Sequence, residues 1–288
     1  MPEYNFFESL KNKSKSVEAE MSFFEHLEVL RWHIIRAVIA VAIFAIVAFS
    51  FYDFLFSQVI MGPKNTDFWT YRMMCKAGEA LNLEGFCVDN IPMNIINTEM
   101  AGQFMVQINS SLLMALAFGF PYLLFEIWLF VKPALTEVER QSARGFVFYA
   151  TILFVLGMLF GYFIVVPLSI NFLANVSLSV EITNQITINS YLTTVATLSL
   201  GCGLIFQLPI VVFVLSKVGI MTPAFMKASR RYAIVVILII AAIITPTADV
   251  ITMLTVSAPM FVLYELSIIV SGKVQKAKER QQKEFFEN

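Results

Sequence analysis

The sequence predicts an all-α polytopic membrane protein with six transmembrane helices and both termini in the cytoplasm. Three observations predict this class. The chain is 58% hydrophobic and only 14% charged, whereas soluble chains carry about 25% charged residues. Its mean hydropathy is +0.74. The stretch from Gly145 to Ser216 contains no Lys or Arg and one acid, Glu181. A helix rises about 1.5 Å per residue and the hydrocarbon core is about 30 Å thick, so this stretch accommodates two crossings.

The apolar runs place the predicted elements in order. Residues 1–21 are expected to form a flexible tail, and Ser22 with Glu25 forms the capping-box pattern of a helix start. The predicted spans run from about 34 to 52, 104 to 131, 146 to 169, 191 to 215, 232 to 244 and 251 to 270. The fifth span is short, at about 20 Å as a helix, and the sixth is expected to be short and interrupted by Pro259. Pro121 predicts a kink in the second span.

The segments outside the predicted spans are polar. Residues 53–103 are expected to form a long extracytoplasmic loop, and residues 272–288 a charged cytoplasmic tail. Residues 22–271, which include the loop, are expected to form one six-span membrane domain. No pattern of a cleavable signal precedes the first span, which is therefore expected to act as its own insertion signal. The net charge of −1 gives no electrostatic argument for a nucleic-acid partner.

The distribution of cations predicts the orientation. Lys and Arg cluster before the first span, between spans two and three, between spans four and five, and after the sixth. The opposite side has only Lys64, Arg72 and Lys76, all in one loop. Because cytoplasmic loops carry an excess of cations, both termini are expected in the cytoplasm.

The three cysteines divide into two groups. Cys202 lies in an apolar run and is expected to pack in the core. Cys75 and Cys87 lie in the long loop, where either a disulfide or two free thiols is possible if the loop is extracytoplasmic. A metal site is not expected, because this loop has no His and only two thiols.

Three polar residues within the predicted spans need partners: Glu126, Gln207 and Glu265. An intramembrane carboxylate is costly unless it is paired or hydrated. Glu126 either snorkels or bonds a neighbouring helix, Gln207 bonds a carbonyl freed by Pro209, and Glu265 faces the same choice, or all three contribute to one shared interior cavity. A shared cavity would suit a secondary transporter of a small solute.

Two acid–base groups lie on the predicted cytoplasmic face. The helix that starts near Ser22 and runs into the first span is called the lead-in helix. On it, Glu28 and Arg31 are three positions apart and either pair with each other or face a partner. Glu137, Glu139 and Arg140 lie either in a solvated loop, or Glu139 forms with Glu28 an acidic site that suits guanidinium groups.

No catalytic motif occurs in the chain, so neither an enzyme nor a cofactor is expected. Asp249 follows a break in the apolar pattern. It either caps the first turn of the next helix or marks a functional extracytoplasmic turn.

Several short motifs occur in a characteristic order. They are His26-Leu27-Glu28-Val29-Leu30-Arg31, Trp128 to Leu135 followed by Glu139-Arg140, Gly157 to Pro167, Phe206-Gln207-Leu208-Pro209, Thr245 to Asp249, and Tyr264-Glu265. In order, spacing and topology, residues 22–270 resemble TatC, the polytopic subunit of the twin-arginine protein translocase.

The resemblance implies a site and a function. Members of this family bind, on their cytoplasmic surface, the signal peptides of folded precursors, whose hallmark is two consecutive arginines. The resemblance implies Glu139 as one carboxylate, with Arg140 and Phe130 nearby, and the lead-in helix with Glu28 and Arg31 as the other half.

This sequence departs from the family pattern in two places. Val29 occupies the usual Glu position directly before Leu-Arg, and the acid stands one residue earlier, about 100° away around the helix. The intramembrane acid common in the fourth span is Gln207 here, and an amide does not exchange a proton near neutral pH.

The resemblance also implies partners. Single-span TatA-like and TatB-like subunits are expected to dock at spans five and six, within a multimeric complex in the lipid of the bacterial cytoplasmic membrane. Export is expected to draw on the proton gradient. The apolar part of the signal peptide is expected to lie in a groove among the spans.

Overall fold

The computed structural model describes residues 23–81, 87, 91–132, 145–176, 185–245 and 250–287. Within these residues, five segments are long and apolar enough to cross a membrane: Leu27–Ser50, Gly102–Val131, Phe146–Asn175, Ile188–Lys217 and Val250–Ala277. A further apolar helix, Arg230–Ile244, has only 15 residues. It corresponds to the fifth predicted span and is short, as expected. The full count of six crossings and the side of each terminus stay predictions.

The first two long helices pack together along their length. Helix α1 comprises Phe23–Ser50 and continues through a short turn, α2, at Tyr52–Phe54. Between the two long helices lies α3, Trp69–Leu81, and α4 comprises Gly102–Val131. Helix α4 runs through Pro121 without ending. The predicted capping residue Ser22 lies outside the described residues.

The third span changes helix type before its proline. Helix α5 comprises Phe146–Phe160, a π-helical turn follows at Gly161–Val165, and α6 comprises Val166–Asn175. Pro167 lacks an amide hydrogen and its ring crowds the preceding turn. The wider turn just before it lets the helix continue.

The fourth span is divided at Gln207. Helix α7 comprises Ile188–Ile205 and α8 comprises Leu208–Val218. Thr187 caps the start of α7 by accepting a hydrogen bond from the Ser190 amide at 3.3 Å. Pro209 has no amide hydrogen to donate to the carbonyl of Ile205, four residues earlier, which explains the break. Gly219 ends α8 with a φ of 92°, the left-handed geometry that favours glycine at a helix end.

The sixth span is neither short nor interrupted, so that prediction is wrong. After α9, Pro223–Ala228, and α10, Arg230–Ile244, helix α11 comprises Val250–Glu287 and passes through Pro259. Proline is tolerated within membrane helices because neighbouring groups satisfy the freed carbonyl. The charged tail continues the helix because Lys, Gln, Ala, Glu and Arg are strong helix formers.

Close approach of α5 to α7 depends on small residues. A Cβ atom added at Gly157 would lie 2.7 Å from the carbonyl oxygen of Cys202, and one at Gly161 would lie 2.7 Å from that of Leu198. Small residues at such contacts let membrane helices approach closely. Cys202 is buried beside them, at 2% exposure, as expected for a core residue.

The segment predicted as a polar loop contains regular structure instead. A π-helical turn at Leu55–Ile60 and a 3₁₀ turn at Gly62–Lys64 precede α3. Strand β1, Asn94–Ile96, pairs in parallel with β2, Gln185–Thr187, with Ile95 opposite Ile186. This pairing ties the segment before α4 to the segment before α7.

Three tyrosine hydroxyls, two of them on buried side chains, hold this segment against the spans. Tyr162 donates to the carbonyl of Val59 at 2.6 Å, and Tyr191 donates to that of Ile60 at 2.8 Å. The Tyr71 hydroxyl lies 3.1 Å from the Pro63 carbonyl and 3.0 Å from that of Pro167. The carbonyls of Val59, Ile60 and Pro63 lie in the last turn of short helical segments, where carbonyls need partners outside the helix, and these hydroxyls supply them. Burial raises the pKa of Tyr71, which therefore stays a neutral donor.

A disulfide joins Cys75 of α3 to Cys87. Glu79 lies near both sulfurs, but both thiols are consumed by the bridge, so this group does not form a thiolate metal site.

Candidate functional site

The ends of α1 and α4 meet at a buried carboxylate. Glu126 of α4 is only 5% exposed at its side chain, and its Oε2 atom lies 2.6 Å from Nδ1 of His33 on α1. Its other oxygen accepts a hydrogen bond from the hydroxyl of Tyr122 at 2.7 Å and lies 3.7 Å from Nε of Arg36. We call Glu126, His33, Tyr122 and Arg36 the carboxylate cluster. It joins the first span to the second.

The contact with Glu126 favours one tautomer of His33. An ionised carboxylate oxygen only accepts, so a hydrogen on Nδ1 satisfies the contact at 2.6 Å. In that tautomer the same nitrogen does not accept a hydrogen bond from the Arg36 guanidinium, which lies 3.3 Å from it. The guanidinium also lies 3.7 Å from the carboxylate. The cluster satisfies a charge that would be costly if it were unpaired within a span.

Phe130 also contacts α1. Its ring centroid lies 6.2 Å from that of His33, at an interplanar angle of 71°, an edge-to-face arrangement. Phe130 is one helical turn beyond Glu126, so both side chains reach the same residue of α1. The structure therefore brings the predicted residue Phe130 to the lead-in helix.

Glu28 and Arg31 are both exposed and do not form the pair that was one of their two alternatives. Within the described part of the chain, neither makes an ion pair with the other, and the Arg31 guanidinium lies 5.5 Å from the ring of Trp32. Val29 stands four positions before His33 and shares its face toward α4, because residues four apart are neighbours on a helix. It is half-buried. Glu28 is rotated about 100° from Val29 and faces outward.

The other two intramembrane polar residues have separate partners. Gln207 Nε2 donates to the carbonyl of Ala150 on α5 at 3.0 Å, so it bonds another helix and not the carbonyl freed by Pro209. Its Oε1 atom is buried without a partner among the described residues. Glu265 of α11 accepts a hydrogen bond from Arg230 of α10 at 2.7 Å. Neither of these contacts involves the carboxylate cluster, and no shared solute site results from them.

Four of the predicted functional residues lie outside the described residues: Glu137, Glu139, Arg140 and Asp249. Glu139 follows the end of α4 by a few positions.

An apolar recess opens between α4, α5 and α7. It has a volume of about 420 Å³, and its walls include Leu113, Phe118, Met158, Tyr162 and Ser199. The Ser199 hydroxyl is buried without a partner among the described residues. A recess of this size and lining suits an apolar side chain or segment.

Sequence reasoning missed His33 as a member of the site. A signal was available in the sequence. His33 stands near the start of the first span and Glu126 near the end of the second, so both are expected toward the same side of the membrane. An isolated carboxylate there needs a partner of opposite charge or a hydrogen-bond donor. The two residues are separated by 93 positions, so no local pattern connects them.

Comparison with known proteins identifies the family. The family model described as Sec-independent protein translocase protein (TatC) matches residues 25–259. The TatC of Blattabacterium sp. subsp. Periplaneta americana is 34% identical over 266 residues, covering 92% of this chain and 100% of that protein. The TatCy of Bacillus subtilis is 29% identical over 252 residues, covering 88% of this chain and 89% of that protein.

Solved structures agree with these matches. A crystal structure of a twin arginine translocase receptor, TatC, in DDM is 30% identical, with a TM-score of 0.66 and coverage of 86% of this chain and 99% of that one. A second crystal structure of such a receptor is 28% identical, with a TM-score of 0.62. These relatives are translocase proteins and not enzymes, as the sequence predicted for this chain. The chain therefore belongs to the TatC family of Sec-independent protein translocase proteins.

Proposed function

We propose that this protein is the receptor and scaffold of a twin-arginine translocase in the bacterial cytoplasmic membrane, with both termini in the cytoplasm. It binds the Arg-Arg segment of the signal peptide of a folded precursor. The observation that carries the proposal is the junction of α1 and α4, where His33 contacts both Glu126 and Phe130. This junction holds the exposed Glu28 beside the helix end from which Glu139 follows.

The chemistry of the ligand accounts for the residues of the site. A guanidinium group is planar and donates paired hydrogen bonds to a carboxylate, so two acids suit two consecutive arginines. Glu139 serves as the first carboxylate, with Arg140 and Phe130 beside it. Glu28 and Arg31 of the lead-in helix form the second half of the site. The carboxylate cluster positions the two halves and does not itself bind the ligand, because Glu126 already has its partners.

The apolar stretch of the signal peptide and the partner subunits occupy the membrane region. The stretch lies in the groove among the spans, for which the recess between α4, α5 and α7 offers an apolar lining.

TatA-like and TatB-like single-span subunits dock on α10 and α11. These helices expose apolar side chains that include Val235, Ile239, Leu254 and Val262. The proton gradient drives export of the bound precursor.

Export assays test the role of Glu139. Glu139→Ala should reduce export of a twin-arginine precursor at least tenfold, while the protein still accumulates in the membrane. Losing one charge-assisted pair costs about 1.5–3 kcal/mol, which corresponds to about a tenfold to hundredfold loss in binding. Glu137→Ala is the matched control, because it removes an acid of the same loop and should leave export near the unchanged level. Normal export by Glu139→Ala would place recognition elsewhere.

An exchange of two neighbouring residues tests the register of the lead-in helix. Exchanging Glu28 with Val29 moves the acid onto the face that His33 presents to α4. Recognition should be preserved or improved if the register of the family applies to this chain. A strong loss of binding would mean that Glu28 acts at its own position.

A further inference from the structure

One face of α3 combines aromatic, apolar and cationic side chains. Trp69, Arg72, Met73 and Lys76 follow the spacing i, i+3, i+4, i+7, which places them on one side of a helix. All four are exposed, Trp69 by 51% and Met73 by 47%. We call these four residues the α3 outer face. An exposed Trp and Met beside two cations is typical of helices that lie in a membrane interface.

The opposite face fixes α3 against the third span. Thr70 donates a hydrogen bond to the carbonyl of Phe163, and the Tyr71 hydroxyl contacts the carbonyls of Pro63 and Pro167. Both side chains are buried. The disulfide at Cys75 restrains α3 at a further point. The outer face is therefore held in one orientation and is not free to turn inward.

The depth of α3 follows from its contact with Phe163. The ring centroids of Trp69 and Phe163 lie 6.0 Å apart. Phe163 stands seventeen residues after Phe146, the first residue of α5, so it lies about 25 Å along the span. Because the hydrocarbon core is about 30 Å thick, Trp69 lies at the level where acyl chains give way to headgroups. Trp is enriched at this level.

The two cations of this face have no protein partner within the described ranges. Neither Arg72 nor Lys76 forms one of the ion pairs there, and Glu79, three positions after Lys76, does not pair with it. Cations at headgroup level that lack a partner among the described residues attract the phosphate groups of lipids. Their apolar stems meanwhile lie along the lipid surface.

We propose that the α3 outer face binds the membrane surface and selects anionic phospholipids. Trp69 and Met73 insert at the boundary of the acyl chains, and Arg72 and Lys76 bind headgroup phosphates. Lipid is favoured over a protein partner because the face lies at interface depth and carries unpaired positive charge. The site is separate from the signal-peptide site, because α3 lies at the opposite end of the third span from the start of α5.

Fluorescence of Trp69 in the full-length protein tests the proposal. The chain has three Trp residues, so Trp32→Phe with Trp128→Phe leaves Trp69 as the sole reporter. The protein is reconstituted in phosphatidylcholine vesicles that contain phosphatidylglycerol, with a quencher on the headgroup side or deep in the acyl chain of either lipid. Shallow quenchers should act more strongly than deep ones, and quenchers on phosphatidylglycerol more strongly than those on phosphatidylcholine.

Charge variants test the selectivity. Each cation near an anionic surface contributes about a fivefold preference, so Arg72→Gln with Lys76→Gln should abolish the preference for phosphatidylglycerol. Lys64→Gln is the matched control, because it removes a cation of the same segment that is not on this face, and the preference should persist. An unchanged preference in the double variant would overturn the proposal. So would a Trp69 that no lipid quencher reaches but that becomes shielded when partner subunits are added, because the face would then bind protein.

Discussion

Glu126 illustrates at the scale of one residue how a charge is accommodated within a span. Its two carboxylate oxygens are 2.6 Å from His33 and 2.7 Å from Tyr122, so the charge has partners on its own helix and on α1. Removing one partner of a buried pair leaves the other unsatisfied, and that loss exceeds the net stabilisation of the pair itself. The carboxylate cluster is therefore expected to stabilise the packing of α1 on α4.

Glu126→Ala should lower the free energy of unfolding in detergent by about 1–3 kcal/mol, because His33 loses its acceptor. Glu126→Gln retains an oxygen that accepts from His33 and should lose less. The control is Glu265→Ala, which breaks a half-exposed pair with Arg230 and should cost less than about 1 kcal/mol. Chemical denaturation followed by fluorescence measures all three variants. Equal losses for Glu126→Ala and Glu265→Ala would contradict the assigned role.

At this scale the sequence identified the polar residues that need partners but not the partners themselves. Glu126, Gln207 and Glu265 stand out because charged or amide groups are rare in apolar runs. Their partners, His33, Ala150 and Arg230, come from other helices. Their identity depends on how the helices pack and rotate, which no local spacing encodes.

The contact of the third span with α7 makes a prediction at the scale of elements. A methyl group at Gly161 would lie 2.7 Å from the Leu198 carbonyl oxygen and 2.9 Å from the Ser199 Cα, both backbone atoms that cannot rotate away. Gly161→Ala should therefore separate the helices and destabilise the fold by about 1–3 kcal/mol. Gly272→Ala meets nothing within 4 Å and should be neutral or stabilising by up to about 1 kcal/mol. Thermal unfolding of both variants gives the comparison, and equal stability would contradict the close contact.

The disulfide makes a second prediction at this scale. Alkylating the denatured, unreduced protein should modify one cysteine per chain, Cys202, and reduction beforehand should raise this to three. Cys75→Ser and Cys87→Ser should be equally destabilising, each by up to about 3 kcal/mol, because either change opens the same loop of about a dozen residues. Three modified cysteines before reduction, detected by mass spectrometry, would exclude the bridge.

Elements were predictable where composition alone determines them. Long apolar runs gave the second and fourth spans within three residues at each end, since the bilayer demands about 20 apolar residues per helix. The sixth span was misjudged because Pro259 was taken as a break, although neighbouring groups in a membrane protein satisfy what proline leaves open. Regular structure within residues 53–103 was missed because it depends on Tyr162 and Tyr191, which belong to distant helices.

The proposed orientation concerns the whole molecule. With both termini in the cytoplasm, the carboxylate cluster and Glu139 lie on the inner face, and α3 with the disulfide lies outside, where a bridge persists. A reporter that is active only in the cytoplasm should work when fused to either end of the chain. Activity at one end alone would mean that the two termini lie on opposite sides of the membrane. Half of the proposed arrangement would then be inverted, and the proposed site would no longer lie on the same side as its precursors.

Cross-linking of a signal peptide at Glu139 tests the central claim most directly. A photoreactive group placed beside this position should capture a peptide that carries Arg-Arg and an apolar stretch. The same peptide with Lys-Lys should cross-link at least tenfold less, because an ammonium group does not reproduce the paired hydrogen bonds of guanidinium. Equal capture of the two peptides would contradict recognition of paired arginines at this surface.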